Sequence, residues 1–559
     1  MRPAETRDRA GKPLRWALAV LVALLVGIVT LEAQAPIGAG AYYDDGAYLA
    51  LARALAQGSG YVYSNLPEPV PGVKYPPVYP GVLAVAWRLM GSYPENLSAL
   101  KGLNALFAGI AAGVTFCLFA SGGRRRVIIA AAITLFTFLT VPTLSISTVL
   151  LSEPLFMLLA AATLMTTGRA FGTAGANDRP AAFALASGFL AGLAFLTRTI
   201  GLALAATVPL ALLLRSKRRE ATLAAAAAAI PSLGWIGWSS AHAGEVPAVI
   251  AGQYGSYGSW FLPGGGSDLA RLPGRLAQVV VANWGPFVQT LEFVWIPRSP
   301  ALPAAFVVLL LGVASAYGLW RVAGRNPALA LFPVAYLALV FVWPYEPWRF
   351  FYALMPLLTL AVLEGLMEAW PRISPDLPRW GVPVAIAAAA TLVVNTVAYQ
   401  ARGHVNRSWE SPQQIPASAY APLNEWIRTH TRPGETVASG LDPYIHWETG
   451  RPAVPSWMFL ADDYGRYDRT PEVLAAGLDS ILVRFQPAYV ALIPGENKAA
   501  ATLEAFADLH PERAVKVFES EGATFPGVIY RVAPPGRSLR DSEDPGSTGP
   551  GEPNPASQR

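Results

Sequence analysis

The sequence predicts a polytopic α-helical membrane protein of about eleven transmembrane helices with a C-terminal extracytoplasmic α/β domain. Three observations carry this. First, 53% of the 559 residues are hydrophobic and only 14% are charged, where soluble domains carry about 25% charged. Second, apolar runs near the bilayer-spanning length of about 20 residues recur along the first four hundred positions. Third, the pattern after residue 400 changes to short strands alternating with helices. Cys117 is the single cysteine and the five histidines are scattered. A disulfide framework and a Cys/His metal cluster are therefore excluded. The net charge of +5 belongs to short basic loops, so no nucleic acid is expected as a partner.

The apolar runs fall at 14–33, 99–120, 127–143, 152–168, 181–197, 200–214, 221–240, 301–320, 327–343, 350–369 and 381–399. A short N-terminus, 1–13, carries Arg2, Arg7, Arg9 and Lys12 and is expected to be cytoplasmic. The first run is long for a signal-peptide core and lacks a small-residue cleavage site, so it is read as a retained span. With that orientation the inner loops hold Arg124–Arg126, Arg169 with Arg179, Arg215 with Lys217–Arg219, Arg321 with Arg325, and Arg372 with Arg379. Every basic cluster then lies on one side, as the positive-inside rule requires. Arg198 and Arg349 are the exceptions on the outer side.

The transmembrane region, 14–400, has two large outer loops, 34–98 and 241–300. In the first, Tyr48, Leu51, Ala52 and Leu55 form one helical stripe. That stretch and Val78–Met90 read as helices lying in the interface plane. The second is rich in Gly, Tyr and Trp around Tyr254–Trp260, a composition suited to a lid. Residues 401–533 form the expected α/β domain. Its helices are read at Ser418–Thr431 and Lys498–Leu509, and its strands at Thr436–Ala438, Ser480–Val483, Tyr489–Ile493 and Gly527–Val532. The tail, 534–559, is Pro, Gly, Ser and charge, and is read as disordered.

Chemistry concentrates at the outer ends of the spans. Asp44 and Asp45 precede the first amphipathic helix, where one of them is expected to serve as its N-cap. Two adjacent acids exceed what a cap needs, and an Asp at the mouth of a helix bundle can act as a general base or ligate a divalent cation. Lys74, in Lys74-Tyr75-Pro76-Pro77, is either a snorkelling lysine or a point charge for a phosphate. Arg198 and Arg349 sit where an arginine is costly unless partnered or functional. Glu153 and Glu346 are the acids at hand for a structural pair. Arg349, Arg198, Glu153 and Tyr345 join Lys74 as substrate-binding candidates. Asp442, His446, Glu448, Asp462 and Asp463 cluster in sequence, a solvated loop or an acceptor-binding patch.

Tyr43-Asp44-Asp45-Gly46-Ala47-Tyr48, Ala52-Arg53-Ala54-Leu55 and Lys74-Tyr75-Pro76-Pro77-Val78-Tyr79-Pro80 together resemble the first exoplasmic loop of GT-C membrane glycosyltransferases. The members it resembles are bacterial aminoarabinose transferases and protein O-mannosyltransferases. This chain departs from them in a second acid that is Asp where Glu is common, and in Tyr75 between the lysine and the prolines. The resemblance implies a multi-span enzyme of the plasma (inner) membrane. It would move a hexosyl or pentosyl unit from a polyprenyl-phosphate donor to an extracytoplasmic glycan, lipid or protein acceptor. It further implies Asp44 as base or metal ligand with Asp45 beside it, and Lys74 and Arg349 on the donor phosphate. A divalent metal cation is the one cofactor it leaves open.

Two rival classes remain. A secondary transporter or lipid flippase should carry paired repeats and polar groups near the membrane midplane. No repeat is visible here, and the ionisable residues gather at span ends. A non-catalytic assembly partner would have lost part of the acid, Lys and Arg set, which is intact.

Overall fold

Inside a bilayer only a helix satisfies every backbone group within its own segment, and helices carry most of the described residues among the first four hundred. The computed structural model describes residues 4–120, 124–172, 179–258, 270, 272–295, 304–345, 347–459, 464, 469–493, 497–520 and 526–539. In chain order the helices are α1 (Ala4–Glu32), α2 (Asp44–Gln57), α3 (Val78–Met90), α4 (Leu97–Phe119), α5 (Arg124–Phe138) and α6 (Val141–Ser147). They continue with α7 (Glu153–Ala170), α8 (Pro180–Thr197), α9 (Leu202–Leu214), α10 (Arg218–His242), α11 (Ala251–Tyr254) and α12 (Leu272–Trp295). The last of the bundle are α13 (Ala304–Ala323), α14 (Pro327–Val342), α15 (Trp348–Ile373) and α16 (Gly381–Val405).

Each of the eleven apolar runs is helical over most of its described residues. Among the described residues seven helices are long and apolar enough to cross a membrane, and eight if α5 and α6, bent by 63° at their junction, count as one span. The bend has a local cause. Thr140 caps α6 through its hydroxyl and Pro142 occupies the first turn, which stops α5 and restarts the helix in a new direction. The protein is thus a polytopic helical membrane protein with a C-terminal α/β domain.

Two readings of the outer segments change. The stretch 241–300 is not loop throughout, because α12 occupies Leu272–Trp295. Gly285 and Pro286 inside it disguise the helix in the sequence. Asn283 of α12 donates to the carbonyls of Val340, Phe341 and Trp343 at 3.3, 3.1 and 2.8 Å, satisfying the exposed C-terminal end of α14. Likewise, α2 is covered beyond its stripe: Leu49, Ala50, Leu51 and Ala52 are all fully buried, with α3 and the helix Asp442–Thr449 of the C-terminal domain packed against it.

Before that domain a short antiparallel pair, β1 (Val62–Tyr63) and β2 (Val70–Pro71), folds the first outer segment back on itself. The domain adds α17 (Ser411–His430), α18 (Asp442–Thr449), α19 (Pro471–Phe485) and α20 (Asn497–Leu509). Its mixed sheet contains β3 (Val437–Ser439), β4 (Ala453–Pro455), β5 (Tyr489–Leu492), β6 (Ala514–Glu519) and β7 (Val528–Val532), in the order β4-β3-β5-β7-β6. The first three strands are parallel and β7 runs antiparallel to both β5 and β6. Strands β4 and β6 were not legible as such. Ser480–Val483 is part of α19 rather than a strand: Leu478, Ile481, Leu482 and Phe485 are buried at helical spacing, and that period overrides the β-branched residues. The domain docks through buried polar contacts. Trp447 Nε1 donates to the Gly46 carbonyl at 2.9 Å, and Ala453 N donates to the Asn65 carbonyl at 2.9 Å. Arg53 reaches His446 Nε2 at 2.8 Å and lies over the Trp447 ring.

Small residues set the tightest helix crossing. A Cβ on Gly318 would stand 1.8 Å from the Ala361 carbonyl oxygen, and one on Gly365 would stand 1.9 Å from that of Ala314. Helices α13 and α15 thus meet backbone to backbone, the contact small residues permit in membranes. Gly318→Leu is expected to separate them at a cost of about 1–3 kcal/mol, read as a lowered melting temperature in detergent.

Candidate active site

The first outer segment enters the site through a strained turn. Tyr43 has φ 65° and ψ −63°, and Asp44 N donates to the Tyr42 carbonyl at 2.8 Å. This is a γ-turn, an arrangement that a side-chain-bearing residue adopts at a cost of about 1–3 kcal/mol. It sends Asp44 and Asp45 in different directions. Neither acts as an N-cap: they occupy the first turn of α2, whose cap position is Tyr43.

Asp45 turns back into the loop. Its carboxylate accepts from Gly40 N at 2.9 Å and Tyr42 N at 3.0 Å. Lys101 of α4 holds the same loop by donating to the Ala35 and Ile37 carbonyls at 2.9 and 2.7 Å. Burial lifts the Asp45 carboxyl to about 6 despite the amides and the Lys101 charge that oppose it. Asp45 does not line the cavity, so the pairing of both acids in catalysis gives way to one acid in the cavity and one in its scaffold.

Asp44 faces a cavity of about 400 Å³ that also holds Lys74, Arg198, Tyr345 and Arg349. Its Oδ2 accepts from Arg349 Nη1 at 2.8 Å and its Oδ1 from the Tyr75 hydroxyl at 2.5 Å. Burial alone would raise this carboxyl, but Arg349, Lys74 and the Tyr75 hydroxyl outweigh it and hold the group below the ordinary aspartate range. Behind the cavity wall sits Glu153, fully buried. Its Oε1 accepts from Arg198 Nη1 at 2.7 Å and from Arg349 Nη2 at 3.0 Å. The two outer arginines that broke the positive-inside pattern are therefore held by one carboxylate. Glu346, the other acid considered for this role, lies outside the described residues. Ser152, beside Glu153, receives Arg198 Nη1 at 3.1 Å and meets the Tyr48 hydroxyl at 2.9 Å.

Lys74 approaches from the opposite wall. Its Nζ donates to the Gln253 carbonyl at 2.8 Å and lies 5.2–5.8 Å from the ring centres of Tyr345, Tyr75 and Tyr257. Burial lowers its ammonium to about 8, against the pull of Asp44 and Asp442. The C-terminal domain closes this wall with Gly440, Pro455, Trp457 and Phe459. Gln253 Nε2 donates to the Trp457 carbonyl at 2.8 Å, and a Cβ on Gly252 would collide with the Phe459 carbonyl oxygen at 1.7 Å.

Beside Lys74 lies an acid that the sequence grouped with a solvated loop or an acceptor-binding patch. Asp442, at the start of α18, is fully buried rather than solvated. It accepts from the Tyr254 hydroxyl and from Asn65 Nδ2, joining the C-terminal domain to both outer segments. Burial raises its carboxyl to about 8, so it is mostly protonated at neutral pH. The residues grouped with it scatter. His446 pairs with Arg53, Glu448 approaches Arg428 at 3.8 Å, and Asp462 and Asp463 lie outside the described residues.

No family model and no curated protein matches the chain, but solved structures do. ArnT from Cupriavidus metallidurans in the apo state is similar at TM-score 0.50 and 17% identity, over 92% of this chain and 97% of that one. An Archaeoglobus fulgidus oligosaccharyltransferase tethered with an acceptor peptide containing the NVT sequon is similar at TM-score 0.51 and 12% identity, over 91% and 73%. Its apo form gives 0.50 and 12%, over 94% and 75%. The chain has the GT-C fold.

Among the described residues no group of three His, Cys, Asp or Glu side chains comes together that could hold a metal ion. Asp44 and Glu153 are instead bridged by Arg349. Among the described residues, Lys74, Arg198 and Arg349 face two ionised carboxylates, Asp44 and Glu153, which leaves one positive charge in excess.

The buried Asp442 makes a stability prediction. Its folded pKa is raised, so the folded state holds a proton that the unfolded state has released above about pH 4. Its contribution is full below that pH and declines as pH rises toward 8. Asp442→Asn is expected to flatten the fall in melting temperature between pH 5 and 8, relative to wild type.

Proposed function

We propose that this protein is an inverting membrane glycosyltransferase. It moves a monosaccharide from a polyprenyl-phosphate donor to an extracytoplasmic glycan, lipid or protein acceptor. On this reading the chain lies in the plasma (inner) membrane, with the cavity and C-terminal domain outside and the N-terminus in the cytoplasm. The observation that carries the proposal is the convergence of one cavity carboxylate, Asp44, with three cations from separate segments: Lys74, Arg198 and Arg349. A sugar–phosphate–polyprenol diester carries one negative charge, which neutralises the single positive charge in excess. Polyprenyl-phosphate chemistry and the sugar class rest on the sequence resemblance and on this charge match. A transporter gains no support, because among the described residues the ionisable groups of the site and of the basic loops gather at the ends of the spans rather than at their middles.

The geometry around Asp44 supports a way for the base to be switched on. Arg349 keeps Asp44 ionised but weakly basic. A donor phosphate competes for the guanidinium, which binds phosphate through two parallel hydrogen bonds. As Arg349 turns to the phosphate, Asp44 loses a neighbouring cation and gains proton affinity. The acceptor hydroxyl or amine then attacks the anomeric carbon and the bond from that carbon to the phosphate oxygen breaks. The acceptor proton passes to Asp44, and the polyprenyl phosphate leaves. Lys74, Arg198 and Arg349 stabilise the charge that grows on the leaving phosphate. Glu153 acts behind them as a positioning residue, holding both arginines in place. The rings of Tyr257, Trp343, Tyr345 and Trp348 supply the apolar surface typical of ligand cavities. No step is routed through a metal.

Two tests follow. Purified protein would be given a panel of radiolabelled polyprenyl-phosphate sugars, with a membrane extract as acceptor. Asp44→Asn is expected to lower transfer by about 10²–10⁴-fold without loss of folded protein, whereas near-normal transfer by that variant would remove Asp44 as base. The second test concerns pH. The charged form of Lys74 is the one that binds phosphate. Transfer at low donor concentration should therefore decline as pH rises through about 8. Lys74→Arg should move this limb upward, since a guanidinium stays charged there. A limb that does not move would take Lys74 out of the donor site.

A further inference from the structure

A second cavity, of about 600 Å³, opens at the other end of the bundle, among α1, α4, α5, α7, α13, α14 and α15. Helix α7 connects the two ends. It starts at Glu153 and ends at Ala170 after 18 residues, a rise of about 27 Å. The second cavity is strongly basic. Arg126, Arg169 and Arg325 line it against one carboxylate, Glu364. Arg126 and Arg325 share that carboxylate at 3.2 and 3.4 Å, while Arg169 lies over the Phe183 ring at 5.5 Å. These described lining residues leave two positive charges in excess before Arg15, also in the wall, is counted. None of them belongs to the site around Asp44.

The basic cavity also continues into something apolar. It shares Trp16, Cys117 and Met165 with a groove of about 180 Å³ between α1, α4 and α7. From Trp16 to Ala23 on α1, and from Cys117 back to Ile110 on α4, the groove advances about 10 Å toward the middle of the bundle. Its wall there is Val20, Ala23, Ile110 and Val114. The groove is shallow because α1 and α4 pack closely, a Cβ on Gly113 standing 3.1 Å from the Ala19 carbonyl oxygen.

We propose that this composite cavity binds one anionic phospholipid, with its phosphate headgroup among the arginines and an acyl chain along the groove. A soluble anion would leave the groove unused. A zwitterionic lipid would bring its own cation toward the guanidinium groups. Clusters of Lys and Arg at the membrane surface attract anionic headgroups through the same charge complementarity. In the orientation given by the basic loops this lipid comes from the cytoplasmic leaflet. It touches α7 and α15, whose far ends carry Glu153 and Arg349, so its occupancy would brace the helices that hold the outer ion network.

The test is native mass spectrometry of the full-length protein in detergent, titrated with phosphatidylglycerol or phosphatidylcholine of identical chains. Phosphatidylglycerol should bind at least about tenfold more tightly, and Arg126→Ala/Arg169→Ala should weaken it about thirtyfold. Arg126→Lys/Arg169→Lys should keep most of the preference. Ile110→Trp, filling the groove, should weaken both lipids. Equal affinity for the two lipids in wild type would overturn the proposal. So would a preference that survives the alanine pair, or displacement by glycerol 3-phosphate as effective as by the lipid. If the alanine pair fails to fold, the lysine pair and Ile110→Trp decide the matter.

Discussion

The ion network Arg198–Glu153–Arg349–Asp44 is the constraint around which the outer half of the bundle is arranged. Two arginines and a fully buried glutamate at the ends of the spanning helices would be intolerable singly, since each uncompensated buried charge costs several kcal/mol. Held together they fix the end of α8, the starts of α7 and α15, and the first turn of α2 relative to one another. The cost is met only if all four segments keep their places, so the geometry of the cavity is tied to the stability of the bundle. The same network leaves Asp44 with an anion's charge and a cation as neighbour.

The C-terminal domain is part of this arrangement rather than an appendage. Its Asp442 reaches Tyr254 and Asn65, its Trp447 holds the Gly46 carbonyl, and its Trp457 and Phe459 close the cavity wall. Lys74 therefore sits between a transmembrane bundle and a soluble domain. Burial from both sides pulls its ammonium down toward neutrality, while Asp44 and Asp442 limit the fall. The strained turn at Tyr43 fits the same picture. Backbone strain persists where surrounding structure over-determines it, and here it aims Asp44 at the cavity and Asp45 at the loop.

Much of this protein was legible in its sequence, because hydrophobic length and basic-loop asymmetry are local and additive. The eleven apolar runs, the C-terminal change of pattern, and the grouping of Asp44, Lys74, Arg198, Glu153 and Arg349 as the unusual residues all follow from burial costs that hold whatever the tertiary arrangement. Local signals failed where a neighbour changed the environment. Helix α12 was masked by Gly285 and Pro286, and α19 by a short β-branched run. Only the folded chain decided that Asp45 is scaffold, that Asp442 is buried, and that Glu153 serves two arginines at once. Each is a matter of which atoms face which across distant segments, and electrostatic energy depends on that distance and surrounding dielectric, not on order along the chain.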